Sequence, residues 1–275
     1  MATFDLTLDA PVAEAGLYIA PVAPDTPNQR VLATEFEGVA PVAMVRAGNS
    51  GQAAWLCRLA VGAVPRIRYR FAEDGGAWPE WAFQPAGTRF DVASDALAAE
   101  LAEGVPGGLA AARVPALMQF VAERFQYGKR PRYLGDDGDA MPALGCDLNT
   151  GTCVDMHTVG VAALRAIGVE AVYVIGGFVY AGKDDYPTGH CWLNLRAAGA
   201  SHHYDISHHV EYGLGPVTPA LNPMPGRRFA LGLGRGLVFE GPEGAVEIPS
   251  LSGWYGLEGA TKGVKLRSIG RFGAG

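Results

Sequence analysis

An apolar run from Val154 to Ile167, with a cysteine directly before it and a glycine directly after it, constrains the fold of this chain most strongly. The run contains no proline, and Gly168 suits the left-handed position that follows the end of a helix. Thr150 or Thr152 can cap the other end through its hydroxyl oxygen. Because apolar residues occupy nearly every side, the pattern predicts a helix buried at the centre of a core.

Three segments after this helix have the composition of strands. Ala171 to Tyr180 is rich in valine and aromatic residues, and His190 to Leu195 is expected to return antiparallel to it. A further turn is followed by a third predicted strand, from His202 to Ser207. The sequence thus predicts an α+β unit in which the central helix crosses the face of an antiparallel sheet.

A cysteine, a histidine and an aspartate follow one another along these elements. Cys153 lies in the first turn of the predicted helix, where unpaired N–H groups and the helix dipole favour a thiolate and could hold an oxyanion. His190 and Asp205 can lie side by side on neighbouring strands, so that the carboxylate fixes the tautomer of the imidazole. These are the groups that acyl transfer through a thioester requires. We therefore predict Cys153 as the nucleophile, His190 as the base and Asp205 as the orienting acid.

The spacing of these motifs resembles the transglutaminase-like superfamily, whose bacterial members are often described as cysteine proteases. The matching motifs are Gly151-x-Cys153-x-Asp155, Leu164 to Val169, His190-x-Trp192 and Tyr204-Asp205, with gaps of 37 and 15 residues between the three polar residues. Ser94 to Glu103 and Ala112 to Tyr127 are similar to the helices that precede this region in the family. The resemblance covers about residues 90 to 212. It implies a papain-like or transglutaminase-like core and carries the nucleophile, base and acid onto Cys153, His190 and Asp205.

The chain is predicted to have three zones. Residues 1–86 contain six short strand-like segments separated by glycine, proline and asparagine turns, which predicts a small β-sandwich domain. Residues 87–212 form the predicted catalytic core. Residues 213–275 are rich in glycine and proline and are expected to extend over the core, where they could shape a substrate cleft.

Four further residues are candidates for contact with substrate. Gln126 and Tyr127 end a predicted helix that should pack near the site, and either could supply a second oxyanion donor. Trp192 shares a strand face with His190 and could line a cleft, although a lone aromatic is more often part of the core. His157 lies one helical turn after Cys153 and is a rival base. The pair of Cys153 and His157 would lack an orienting carboxylate, so we favour a packing or supporting role for His157.

Other polar residues near the site have structural interpretations. Asp155 points away from Cys153 on the helix and is expected to anchor a loop or strand. Cys191 points to the strand face opposite His190, and we expect it, like Cys57, to be core. The remaining histidines, His202, His203, His208 and His209, raise a zinc alternative with His190 and Cys191. Adjacent histidines on a strand point to opposite faces and the set has no recognised ligand spacing, so we predict no metal and a solvated strand end.

Composition limits the partners of this chain. The net charge is −6, and the sequence lacks a run of 18 apolar residues, so neither nucleic acid nor a membrane is an expected partner. Four irregularly spaced cysteines do not form a disulfide framework, and a thiol nucleophile suits a reducing compartment, which predicts the cytoplasm. No signal peptide is apparent at the N-terminus, and the sequence leaves the oligomeric state open.

Together these features predict an enzyme without a cofactor, acting on a peptide or another amide-containing substrate. Hydrolysis through a thioester acyl-enzyme is the first interpretation. An amide-forming acyltransferase with an amine acceptor shares the same first half-reaction and stays open. A binding protein that keeps the fold without turnover is the third possibility, and the intact set of three residues argues against it.

Overall fold

The computed structural model describes residues 1–105, 107, 110–183 and 186–274. The chain forms two compact units. The first consists of Met1–Ala82, Ile175–Gly189 and the chain from Gly226 onward, and the second of Phe83–Val174 and His190–Pro225. This division differs from the predicted boundaries after residues 86 and 212, because the C-terminal segment supplies strands to the same unit as the N-terminal segment.

The described residues form sixteen strands, four α-helices and two short 3₁₀ helices, at Glu80–Phe83 and Gly259–Thr261. In chain order the strands and α-helices are β1 (Ala2–Leu8), β2 (Gly16–Pro21), β3 (Arg30–Glu37), β4 (Pro41–Arg46), β5 (Ala53–Leu59), β6 (Arg66–Ala72), α1 (Asp95–Gly104), α2 (Ala110–Glu123), β7 (Phe125–Tyr127), β8 (Asn149–Gly151), α3 (Cys153–Ala166), β9 (Glu170–Tyr180), β10 (Thr188–Ala197), β11 (Ala200–Tyr204), α4 (Ile206–Tyr212), β12 (Gly226–Leu233), β13 (Leu237–Gly241), β14 (Gly244–Ile248), β15 (Tyr255–Gly256) and β16 (Ser268–Ala274). No described helix is both long enough and apolar enough to cross a membrane.

The first unit contains the β-sandwich that the strand-like segments of the N-terminal zone predict. One sheet has the order β16-β1-β6-β3 and the other β15-β2-β5-β4. Alternate residues of β1 are buried, as the period of two requires, and they join a core that includes Tyr69, Phe229 and Trp254. Residues of the C-terminal segment therefore complete both sheets: β16 pairs with β1 over seven residues, and β15 pairs with β2.

The second unit is built around α3, which is buried along nearly its whole length, as its apolar sequence predicts. It packs against α1, α2 and α4. A β-carbon on Gly160 would lie 2.7 Å from Leu193 Cδ2 on β10, so the glycine permits a close approach of helix and strand. The antiparallel strands β9, β10 and β11 follow in the sheet order β11-β10-β9. The central helix against an antiparallel sheet is the predicted α+β architecture.

Two local predictions in the second unit are wrong. The third strand ends at Tyr204, and residues from Ile206 onward form α4 instead of continuing to Ser207 as a strand. Helix α2 ends at Glu123, so Gln126 and Tyr127 lie on the short strand β7, which pairs in parallel with β8. Both changes place side chains of the predicted site on different elements from those expected.

Candidate active site

Cys153 is the first residue of α3, and the sequence around it fixes that helix end. Thr152 is the N-cap, and its hydroxyl oxygen accepts from the N–H of Val154 at 3.3 Å. Asp155 completes a capping box, because its Oδ2 accepts from the N–H of Thr152 at 2.8 Å. Its Oδ1 accepts from the N–H of Leu134 at 2.8 Å, which confirms that Asp155 anchors a neighbouring loop. Cys153 is buried, with 7% of its surface exposed.

His190 and Asp205 are hydrogen-bonded, with 2.8 Å between His190 Nε2 and Asp205 Oδ2. An ionised carboxylate only accepts hydrogen bonds, so the hydrogen of the neutral imidazole is on Nε2 and Nδ1 is the acceptor nitrogen. Asp205 is not on a strand but is the N-cap of α4: its Oδ1 accepts from the N–H of His208 at 3.0 Å and from the Ser207 hydroxyl at 2.9 Å. These bonds hold the carboxylate in one orientation behind His190.

The electrostatics of the site favour a thiolate beside an imidazolium. Hydrogen bonds from Cys191 and His190, with the positive charge of His190, hold the pKa of Cys153 well below its ordinary value, against the opposing effect of burial. Burial by itself lowers the pKa of His190, but the charge and hydrogen bond of Asp205, together with the Cys153 thiolate, raise it to about 9. The structure thus brings Cys153, His190 and Asp205 together as a buried, charge-stabilised group.

Cys191 is fully buried, as expected of a core residue. Its Sγ lies 3.7 Å from Nδ1 of His157, so the thiol packs against the buried helix α3. This contact agrees with the structural interpretation of Cys191.

Two more histidines surround Asp205. His157 is fully buried, and its Nε2 accepts from the N–H of Ile206 at 2.9 Å, which agrees with a supporting role better than with that of the base. His208 stacks on His190 with 4.4 Å between ring centroids, and its Nδ1 lies 2.9 Å from Asp205 Oδ2. The prediction of a solvated strand end is wrong for His208 and His209, because both are buried in α4.

The candidate substrate-binding residues lie in different surroundings. Tyr127 is 40% exposed, and its pKa is raised by partial burial and by the negative charges of Cys153 and Glu211, so it keeps its proton. Glu211 lies near this group: its pKa is raised mainly by burial, while the positive charges of His208 and His190 act in the opposite direction. Gln126 is turned to Thr150, with 2.9 Å from its Nε2 to the threonine hydroxyl. Trp192 is only 3% exposed and lies in the interior of the second unit.

Two residues near the predicted site were not apparent from the local patterns, namely His208 and Glu211. A signal for α4, which carries both, is present in the sequence. Asp205 is a favoured N-cap residue, and Gly213, with a φ of 61°, ends the helix in the left-handed region.

His190, Asp205 and His208 could also hold a metal ion, since their ligand atoms lie within 4.8 Å of one another. The carboxylate oxygen Oδ2 is at hydrogen-bonding distance from both rings, 2.8 Å from His190 and 2.9 Å from His208. A zinc ion would lie about 2 Å from each ligand atom and between them, which requires these contacts to lengthen. The observed spacing fits two imidazoles that share one carboxylate.

Comparison with known proteins gives a family for part of the chain. Residues 95–204 match the model of the Transglutaminase-like superfamily, a range that includes Cys153 and His190 and stops one residue before Asp205. No curated protein gives a significant match. Among solved structures, the chain is similar to a protein from Cytophaga hutchinsonii provisionally named a cysteine protease, with 13% identity, a TM-score of 0.49, and coverage of 99% of this chain and 97% of that one.

It is also similar to the periplasmic domain of TgpA from Pseudomonas aeruginosa, with 16% identity and a TM-score of 0.36 over 75% of this chain and 88% of that one. The motifs of the sequence, the central helix on an antiparallel sheet and the family match agree with one another. The segment from residue 95 to residue 204 therefore belongs to the transglutaminase-like superfamily.

Proposed function

We propose that this protein is a cysteine-dependent enzyme that transfers acyl groups through a thioester on Cys153. The observation that carries the proposal is the buried arrangement of a thiol with a depressed pKa, an imidazole with a raised pKa and a carboxylate 2.8 Å from that imidazole. Acyl transfer uses these three groups as nucleophile, proton carrier and orienting acid. A protein that only binds a ligand has no need of them in this arrangement.

In the proposed reaction the Cys153 thiolate attacks the carbonyl carbon of an amide. The negative charge passes to the carbonyl oxygen, which the N–H of Cys153 at the start of α3 can stabilise. His190 then gives a proton to the leaving amine as the C–N bond breaks, and the thioester remains on Cys153. Water, activated by His190, attacks the thioester, releases the carboxylic acid and restores the thiolate.

Hydrolysis of a peptide or related amide is the proposed outcome, because water is the abundant acceptor. An amine acceptor would instead give a transferase of the transglutaminase type. Glu211, beside Tyr127 and near Cys153, is a specific feature that favours this second candidate, since a carboxylate near the thioester could attract a cationic amine.

The deciding experiment separates these outcomes. The protein is incubated with a thioester or glutamine-containing peptide donor, with and without millimolar amine, and the products are identified by mass spectrometry. We expect mostly free acid in both conditions and no product from Cys153→Ala. Mostly amide products at millimolar amine would replace the hydrolase by the transferase, and turnover by Cys153→Ala would contradict both.

A labelling experiment tests for the enzyme class without any substrate. Iodoacetamide near neutral pH should alkylate Cys153 much faster than Cys57, Cys146 or Cys191, because only the thiolate is nucleophilic. Cys146 is the informative control, since it is exposed whereas Cys153 is not. Equal rates at Cys146 and Cys153 would contradict a charge-stabilised nucleophile.

A further inference from the structure

His208 lies against both members of the proposed proton-transfer pair, His190 and Asp205. It is fully buried on α4, and its ring stacks on that of His190 with 4.4 Å between the centroids and 15° between the planes. Its Nδ1 lies 2.9 Å from Oδ2 of Asp205, the same oxygen that lies 2.8 Å from His190 Nε2. His208 thus has one contact with each partner, and the reaction described above gives it no role.

The carboxylate of Asp205 is shared among several donors. Its Oδ1 accepts from the Ser207 hydroxyl at 2.9 Å and from the N–H of His208 at 3.0 Å. Its Oδ2 faces the rings of His190 and His208. A nitrogen this close to an ionised oxygen carries its hydrogen, because that oxygen offers only lone pairs. His208 Nδ1–H therefore draws on the same negative charge that His190 uses.

The position of the His208 ring is fixed by its own helix. Tyr212, one helical turn further on, meets this ring edge-on with 5.7 Å between the centroids. The backbone N–H of His208 is bonded to the N-cap residue Asp205. These contacts leave the ring little freedom to turn, so it presents a fixed flat surface to His190.

Other titratable groups around His190 have different positions. From α3 come Cys153, the proposed thiolate, and His157, whose ring meets that of His190 at 83° with 6.3 Å between the centroids. His157 Nε2 lies 3.6 Å from the other carboxylate oxygen and accepts from a backbone N–H. Glu211, on α4, is a further charged group near both stacked rings. Against these neighbours, His208 lies flat on the His190 ring and touches the oxygen to which that ring is bonded.

We propose that His208 is a positioning residue of this site: its ring holds His190 in one plane, and its Nδ1 holds the Asp205 oxygen to which His190 is bonded. The inference rests on the proposed function, in which His190 takes up and releases a proton in each half-reaction. The flat contact keeps the His190 ring from turning as its charge changes. The shared oxygen limits how strongly Asp205 favours the imidazolium, so that His190 still releases its proton to the leaving amine.

The first test measures the protonation midpoint of His190 by NMR spectroscopy of isotope-labelled histidine rings, with His190→Gln to identify its signal. His208→Phe keeps a flat ring but loses Nδ1. The midpoint of His190 should then rise by about half to one pH unit, because Oδ2 of Asp205 serves His190 alone. His208→Asn keeps an N–H donor in the place of Nδ1 without the ring, and should leave the midpoint nearly unchanged.

The second test measures kcat and KM for the donor peptide in the same variants. His208→Asn lacks the stacked ring and should lower kcat about tenfold with KM changed less than about twofold, because orientation is lost and not binding. His208→Phe keeps the ring and should stay within about threefold of the unmodified kcat. His209→Phe is the matched control, at a buried histidine of the same helix whose Nδ1 lies 3.3 Å from the Gly215 carbonyl oxygen. It should change neither the midpoint nor kcat.

Phenylalanine, asparagine and histidine have similar helix propensities, so α4 should persist in these variants. If circular dichroism shows that one does not fold, His208→Leu replaces the variant without a donor and His208→Gln the variant with one. A His190 midpoint in His208→Phe equal to that of the control would overturn the inference, as would equal losses of kcat in the two His208 variants.

The proposed function is judged separately, on the unmodified protein and Cys153→Ala. If only the unmodified protein turns over the donor and the His208 variants behave like the control, the role of His208 fails and the proposed function stands. If the unmodified protein gives no turnover, the proposed function fails, and the midpoint of His190 still decides whether His208 shares the carboxylate.

Discussion

The proposed reaction depends on the orientation of a single imidazole. Nε2 of His190 is committed to Asp205, so the other ring nitrogen is the one that can exchange a proton with Cys153. The same carboxylate caps α4 through its second oxygen. Asp205 thereby fixes both the tautomer of the proposed base and the position of α4.

Replacing Asp205 by asparagine separates these two roles. Asparagine caps a helix about as well as aspartate, so the fold should persist. The amide cannot enforce the Nε2–H tautomer, and turnover should fall by about two to four orders of magnitude. Steady-state rates with the donor peptide provide the measurement, and far-UV circular dichroism verifies the fold. If Asp205→Asn kept most activity while His157→Ala abolished it, the base would be His157.

The pH dependence of turnover follows from the same two groups. Cys153 loses its charge as the pH falls through its depressed pKa, and His190 loses its proton as the pH rises through about 9. The ion pair, and the stability it adds to the folded state, exist only between these limits. We expect a bell-shaped profile of kcat/KM whose alkaline limb lies near pH 9.

In Asp205→Asn the alkaline limb of this profile should move to lower pH, because Asp205 raises the pKa of His190. An alkaline limb that stays in place would show that it belongs to another group.

Tyr127 is the side chain best placed to act as a second oxyanion donor. It is protonated, partly exposed and close enough to Cys153 to be affected by its charge, whereas the Gln126 amide is bonded to Thr150. Tyr127→Phe should lower kcat by about 100-fold, as for the loss of one oxyanion donor, and leave the alkylation profile of Cys153 nearly unchanged. Gln126→Ala is the control and should change kcat less than threefold. Equal effects of the two variants would argue against the role of Tyr127.

At the scale of elements, the helix that carries Cys153 depends on its buried N-terminus. Asp155 is fully buried and satisfies two backbone N–H groups, those of Thr152 and Leu134. Asp155→Ala leaves both donors without their acceptor, and we expect a loss of about 2–4 kcal/mol in the free energy of unfolding. Urea unfolding at neutral pH measures the change. Asp139→Ala, at an exposed aspartate of the same unit, should stay within about 0.5 kcal/mol of the unmodified protein, and similar losses in both variants would contradict the argument.

Local sequence patterns predicted most helices and strands, but not which of them pair or pack with one another. Strand-like segments between turn residues predicted the six N-terminal strands, and the apolar run predicted α3 with its cysteine at the start. Helix α4 was missed because Tyr204-Asp205-Ile206 alternates like a strand, and the element is only seven residues long. The C-terminal zone was expected only to extend over the core, because pairing across most of the chain, as between β1 and β16, leaves no trace in local composition.

The C-terminal segment completes the first unit of the molecule. Strand β16 lies at the edge of the sheet β16-β1-β6-β3, so residues from the two ends of the chain share one core. Phe272 on this strand is 5% exposed, and its ring stacks on Phe229 with 5.6 Å between centroids. The stability of the first unit therefore depends on the last residues of the chain, although they carry none of the proposed chemistry.

Two substitutions on β16, one at a buried and one at an exposed residue, test how far the stability of the first unit depends on this strand. Phe272→Ala removes a buried ring and should lower the free energy of unfolding by about 3–5 kcal/mol, whereas Ile269→Ala, at a residue that is 41% exposed, should cost less than about 1 kcal/mol. Tryptophan fluorescence during urea unfolding reports on this core, because Trp254 is part of it. Equal losses would mean that the strand contributes only through its backbone ladder, and a negligible loss in Phe272→Ala would mean that the C-terminal strand does not belong to the core.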